Sequence, residues 1–157
     1  MNSDRLKHSL AVANKMVKIG QKKGFNDIQL QELFVLGYNH DIGYRFATDK
    51  SKHNIVGGEI LKSANYKYWQ EIYNHGNPST NYSSVYLDIL NQADMQIDKY
   101  GNNVSYDERL EDIKQRYGIN SIQYTNSQKI IEKCKMEETK WKFYLQVVHL
   151  MKKQLKN

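Results

Sequence analysis

The sequence predicts an all-α protein, a compact helical bundle of about six to eight helices in one domain over residues 1–157. Three observations predict it. Apolar residues recur at helical spacing in one segment after another. One proline and nine glycines leave few breakers, and these fall between the periodic segments. No strand-like alternation is sustained over more than about four residues. A chain of 157 residues is long enough for one real core and short for two.

The elements follow in order. Leu6, Leu10, Ala13 and Val17 repeat as one stripe of a first helix, which Gly20 and Gly24 end. Asn26 with Gln29 has the spacing of a capping box, opening a second helix through Leu30, Leu33, Phe34 and Leu36 to about His40. Gly43 to Lys52 reads as a loop of about ten residues, longer than an ordinary connection and therefore of functional interest. Helices are expected at 53–63, 66–75 and 81–99, the last after the Asn77-Pro78-Ser79 break. Ser105 and Glu108 form another box, before a helix that Gly118 closes. Thr125 with Gln128 is expected to open the last helix. There Cys134, Trp141, Val148 and Leu155 recur every seven residues, with Ile130, Leu145 and Met151 beside them, as the inner stripe of a lysine-rich core helix.

The charge is unevenly spread. Lys and Arg number 23 against 17 Asp and Glu, a formal net charge of +6 with a pI near 9.2. Residues 129–157 hold eight lysines against three glutamates, so the excess belongs to the last helix. That helix keeps an apolar stripe and no zinc-finger spacing is present, so its lysines are expected to form a solvated face and nucleic acid is not the expected partner. A lone cysteine, Cys134, an opening segment without an apolar block and the lack of a long apolar run point to a cytoplasmic protein with no membrane span. Cys134 and His149 are expected to be packing or boundary residues outside any site.

The residues with chemistry are histidines and aspartates. His40-Asp41 places an imidazole and a carboxylate at the end of an apolar helix, His53 starts the helix after the long loop, and His75 ends the next one. His8 lies on the first helix and Asp94 on the apolar side of another. A carboxylate on a buried face needs a cationic partner or a metal. Imidazole nitrogen with carboxylate oxygen suits divalent transition metals, and a bundle can gather such ligands from distant positions. Spacing alone leaves open whether these six residues bind metal or fill structural roles.

Their order and setting go further. Arg5-x-x-His8-Ser9-Leu10-x-Val12-Ala13, Asn39-His40-Asp41-Ile42-Gly43, His53-x-x-x-Gly57-Gly58-x-Ile60-Leu61, Ile72-x-x-His75-Gly76 and Ala93-Asp94 occur in that order. Together they strongly resemble the HD superfamily, all-helical metal-dependent phosphohydrolases named for their His-Asp doublet. The resemblance covers about residues 5–98; residues 100–157 are expected to be extra helices completing the bundle. The resemblance implies that His8, His40, Asp41 and Asp94 bind one divalent ion. It also implies that His53 and His75 extend the site to two, with Asp41 bridging. The ions would be Fe, Mn, Co, Ni or Mg.

The surroundings look nearest to small bacterial hydrolases of dinucleoside tetraphosphates. Two departures stand out: Tyr44 and Arg45 follow Gly43 where the family often has lysine, and His75 continues Gly-Asn-Pro-Ser in place of the Gly-Tyr-Pro of cyclic-di-GMP enzymes. The second argues against that substrate. The expected activity is hydrolysis of a small phosphorylated molecule or nucleotide by a metal-activated water. Arg45 is the preferred phosphate contact and acts with Asp41 in the reaction, Lys52 is a further substrate contact, and Asp98 is expected to orient a ligand or a water from behind. The same ligands also serve HD-type mixed-valence di-iron oxygenases, and a non-catalytic nucleotide-sensing domain is a third reading.

Overall fold

The structure, a computed structural model, describes residues 2–157. Seven α-helices and two short 3-10 turns follow one another, with no strand among the described residues. They are α1 (Ser3–Lys22), α2 (Asp27–Asn39), turns Ile42–Arg45 and Lys50–Lys52, α3 (His53–Ser63), α4 (Trp69–Asn74), α5 (Val85–Asp94), α6 (Tyr106–Tyr117) and α7 (Ile122–Leu155). No helix among the described residues is long and apolar enough to cross a membrane.

Both expected capping boxes form: Asn26 and Gln29 satisfy each other's amides at the start of α2, and Ser105 and Glu108 do so before α6. Other boundaries move for local reasons. Gly20 lies inside α1, where its bare Cα lets Leu33 approach, and the helix ends at Lys22, capped by Lys23 ahead of Gly24, whose φ of 78° is left-handed. α4 is shorter than the 66–75 expected. Ser84 caps α5, so that helix begins at Val85, not 81, and it ends at Asp94, not 99. The Thr125–Gln128 start is displaced as well. Ser121 accepts from the Tyr124 amide to cap α7, and Thr125 sits in the first turn with its hydroxyl donating to the Ser121 carbonyl.

The main core joins Val12 and Met16 of α1, Leu33 and Leu36 of α2, Ile72 of α4, and Ile89, Leu90 and Ala93 of α5. On α1 the buried stripe is His8, Ser9, Val12, Ala13, Met16 and Gly20, while Leu6 and Leu10 are exposed. The expected stripe therefore holds only in its second half, with Ala13 buried and Val17 half-buried, while at the N-terminal end the helix turns His8 and Ser9 inward in place of the leucines. A smaller cluster joins Met95 to Ile130, Ile131 and Cys134 of α7, packed by Tyr106 and Leu110. Burial pushes the Cys134 thiol up to about 12, consistent with packing and not reactivity. Beyond Cys134, α7 leaves the core. Phe143, Leu145, Leu150, Met151 and Leu155 are exposed, as is His149, so the stripe is an inner one only over the first third of the helix.

Close backbone contacts set the site's frame. A Cβ on Gly43 would lie 1.7 Å from the His53 carbonyl oxygen and 2.7 Å from the Gly57 amide nitrogen. One on Gly58 would lie 2.7 Å from the Cα of Tyr73. Backbone atoms cannot yield as side chains do, so these glycines let the first 3-10 turn, α3 and α4 touch. Gly43→Ala is expected to lower stability by about 3 kcal/mol or more, read as a fall in the urea midpoint of the metal-free protein. An unchanged midpoint would show that this contact opens at no cost.

Candidate metal centre

Helix ends place most of the centre. His40 follows the last residue of α2, His75 the last of α4, Asp94 is the last residue of α5, and His53 begins α3. The last carbonyls of a helix lack intrahelical partners. Two of the histidines use them: His40 Nδ1 donates to the Gly37 carbonyl at 2.7 Å and His75 Nδ1 to that of Ile72 at 2.6 Å. His53 Nδ1 donates to the Lys50 carbonyl at 2.9 Å, and His8 Nδ1 to that of Asp98 at 2.8 Å. A carbonyl only accepts, so each Nδ1 carries the hydrogen and each neutral ring turns an Nε2 lone pair inward.

Those lone pairs meet carboxylate oxygens. Asp41 Oδ1 lies 3.3 Å from His40 Nε2, 3.3 Å from His53 Nε2 and 3.7 Å from His75 Nε2. Its Oδ2 lies 3.7 Å from His8 Nε2 and accepts from Arg5 at 2.8 Å. Asp94 Oδ1 is 3.0 Å from His8 Nε2 and 3.6 Å from His40 Nε2. His53 and His75 turn their Nε2 atoms on each other at 3.2 Å. His8, His40, His75, Asp41 and Asp94 are buried, and His40 Nε2 has no hydrogen-bond partner among the described residues. Acceptors facing acceptors in a buried site repel unless positive charge lies between them. Three overlapping groups can hold a cation: His8 with His40 and Asp41, His40 with His75 and Asp94, and Asp41 with His53 and His75. The donor set fits divalent transition ions.

Without a cation, protons are the remaining relief. Burial works to lower His8 and His40, but Asp94 and Asp41 outweigh it and raise both above the ordinary imidazole value. Burial likewise works to raise Asp41 and Asp94, yet the facing histidines, His40 first, hold both well below the usual carboxylate range.

The centre opens into a cavity of about 580 Å³. Arg45 and Lys52, expected to contact substrate, are exposed and do not line it; Arg45 instead lies 5.9 Å from the Phe46 ring. The cations that do line it are Arg5, Lys50, Lys99, Arg109 and Arg116. Lys50 donates to the carbonyls of Tyr44 and Ala47, bracing the loop whose Lys50 carbonyl holds His53. Asp98, expected to orient a ligand or a water by its side chain, instead lies in the loop after α5 and meets His8 through its backbone carbonyl. Its carboxylate accepts from the amides of Tyr100 and Asn102 and shapes that turn. Two signals for the missed cations were present in the sequence. Arg5 stands three residues before His8, on the same helical face, and Arg109, Asp112 and Arg116 repeat at i, i+3 and i+7.

The raised His8 and His40 fix the sign of a pH effect. As pH falls into the range where these rings hold protons, protons compete with a cation and affinity drops. Titrating Mn²⁺ into the metal-free protein at pH 7 in weak buffer is expected to release protons. In Asp41→Ala both the binding heat and the release should vanish, and full retention of Mn²⁺ by that variant would refute the cation assignment.

The HD-domain family model matches residues 5–116, which takes in α6 as well as the five motifs. No curated protein and no solved structure matches the chain. A match over more than two-thirds of the sequence, coinciding with the His-Asp cluster just described, shows that the chain belongs to the HD-domain family.

Proposed function

We propose that this protein is a metal-dependent phosphohydrolase that cleaves a small phosphorylated or nucleotide substrate with a metal-activated water at a centre of two divalent ions. His8, His40 and Asp94 would hold one ion, His53 and His75 the other, with Asp41 between them. One observation carries the reading: four inward Nε2 lone pairs and two ionised carboxylates converge under a cavity lined with cations. The mixed imidazole and carboxylate set suits Fe or Mn. When bound, such ions supply a water acidic enough to attack at neutral pH and offset charge on the phosphoryl oxygens.

The chain's own residues supply the rest. Asp41 offers an oxygen to each side of the centre, Oδ1 towards His40, His53 and His75 and Oδ2 towards His8. Arg5 grips that Oδ2 and lies 3.7 Å from the centre of the Tyr44 ring, which in turn stacks on His53 at 4.0 Å. Arg5 is thereby held at the cavity mouth, where its remaining donors can meet phosphoryl oxygens. Tyr44, covered on both faces, acts as a wall for His53 and has no free face for a base.

The test is a substrate panel of mononucleotides, nucleoside diphosphates, dinucleoside polyphosphates and cyclic dinucleotides, run with Mn²⁺ or Fe²⁺. Phosphate or nucleotide product is expected without O₂ uptake, and Asp41→Ala should lose more than the roughly 10–100-fold typical of outer-shell changes. O₂ consumption coupled to substrate loss would replace hydrolysis with the oxygenase chemistry open to this ligand set. Ligand binding without turnover would leave a sensor.

A further inference from the structure

α6 brings a second group of cations to the same cavity. Arg109, Asp112 and Arg116 stand at i, i+3 and i+7 on one face of the helix. Arg109 Nη1 lies 3.3 Å from Asp112 Oδ2, and Arg116 Nη2 donates to the same oxygen at 3.0 Å. One carboxylate is thus shared by two guanidinium groups. Lys99 lines the same stretch of cavity. The other acid in reach is Asp98, whose oxygens are occupied by the Tyr100 and Asn102 amides and the Asn102 side chain. Arg109 and Arg116 thus share Asp112, Lys99 has no ion pair among the described residues, and the acids that line the cavity itself are Asp49 and the centre's own Asp41 and Asp94.

Arg109 is the unusual member. It is buried, its side chain only 10% exposed, and its Nε has no partner among the described residues. A buried guanidinium normally has its charge matched and its donors filled. Here the matching carboxylate is shared with Arg116 and the Nε is unfilled, although the side chain lines an open cavity. The two arginines make no hydrogen bond or ion pair with the histidines and aspartates of the metal centre. They stand apart from that centre's own contacts, on the lining of the cavity.

We propose that Arg109 and Arg116, braced by Asp112 and assisted by Lys99, form an anion subsite for a second phosphoryl group of the substrate, apart from the one held at the His-Asp centre. The assignment rests on the phosphohydrolase reading above and deepens it: the substrate carries at least two phosphoryl groups. Two planar forks about two helical turns apart, drawn together by a shared carboxylate, suit a phosphoryl group, which offers several oxygens and a charge near −2. A carboxylate offers two oxygens and a single charge. Arg109 and Arg116 then set specificity by position, and Asp112 is a positioning residue that holds both forks in register.

The test joins binding to turnover in the full-length protein. Calorimetry with inorganic pyrophosphate, phosphonoacetate and phosphate is run on metal-loaded and metal-free protein. Pyrophosphate is expected to bind at least tenfold tighter than phosphate to both forms, with phosphonoacetate weaker than pyrophosphate. Arg116→Ala, at a solvent-accessible position, should remove that tenfold preference while leaving phosphate binding to the loaded protein unchanged. Arg109→Lys, which keeps the charge but loses the fork, should reduce the preference in part; if that variant fails to fold, Arg116→Ala decides alone. In turnover, Arg116→Ala should raise KM for a nucleoside diphosphate about tenfold with kcat little changed. A nucleoside bisphosphate with its phosphates on two hydroxyls shows whether the second group must be linked by an anhydride.

Equal binding of pyrophosphate and phosphate, or a preference that survives Arg116→Ala, overturns the subsite. Phosphonoacetate equalling pyrophosphate overturns its assignment to phosphoryl. Failure of the broader reading looks different. Arg116-dependent pyrophosphate binding with no product from any panel compound keeps the subsite and removes the hydrolase. Turnover unaffected by Arg116→Ala keeps the hydrolase and removes the subsite.

Discussion

The fold is organised around a repulsion. Four imidazoles, each tied by Nδ1–H to a backbone carbonyl, turn lone pairs towards two ionised carboxylates in the interior of a small domain. Nothing these groups offer one another in their neutral, metal-ready form is attractive. Their convergence must therefore be held by the scaffold, with the helix packing fixed first and the charge compensated afterwards. Helix termini supply the means. At His40 and His75 the hydrogen bond that satisfies a terminal carbonyl also sets the tautomer and aims the ring. Ending the helix and preparing the ligand are one local event. The glycine contacts at Gly43 and Gly58 serve the same end, since they bring the first 3-10 turn and α4 close enough to α3 for His53 and His75 to face each other.

What the sequence disclosed follows from how local each signal is. Capping boxes depend on two side chains three residues apart; Asn26–Gln29 and Ser105–Glu108 form, whereas Thr125–Gln128, of the same spacing, lies inside α7 because Ser121 caps that helix first. The His-Asp motifs are short, and their order along the chain survives folding. Periodicity misled on α1 because Leu6 and Leu10 are more hydrophobic than His8 and Ser9, yet the latter are buried. His8 is buried there because its partners lie 86–90 positions away, where no local window contains them, and Ser9 is carried inward beside it with its hydroxyl unpartnered among the described residues. The same reasoning explains Arg45. It lies next to the doublet in sequence, but a 3-10 turn points it to solvent, while Arg109 reaches the cavity from a helix more than sixty residues on.

Net charge was a poor guide to local charge. Most of the +6 excess sits on α7, whose distal part leaves the core and carries its lysines into solvent. At about 1.5 Å per residue, a helix of 34 residues outruns the small body it packs against, which is why its heptad stripe continues beyond anything to bury it. The first 128 residues are nearly neutral in sum, yet their folding gathers five cations around one cavity. Opposite charges separated in space cancel in a count and not in a field.

The cations around the cavity show how such a field can be kept without a substrate. Two divalent ions and two carboxylates would leave the centre positive, and unbraced arginines nearby would swing away from it. Each guanidinium is instead fastened to an acid that does not neutralise the whole group: Arg5 to an Asp41 oxygen and the Tyr44 face, Arg109 and Arg116 to a single Asp112 oxygen. Lys50 is fastened without any acid, by two carbonyls. These attachments fix direction while leaving part of the charge uncompensated at Arg109 and Arg116, which share one carboxylate; under the proposed reading that would preorganise the cavity for an anion. The cost of that uncompensated charge falls on the empty cavity. Under the reading proposed above, binding a polyanion would relieve it, which would favour substrates with more than one phosphoryl group over those that reach the His-Asp centre alone.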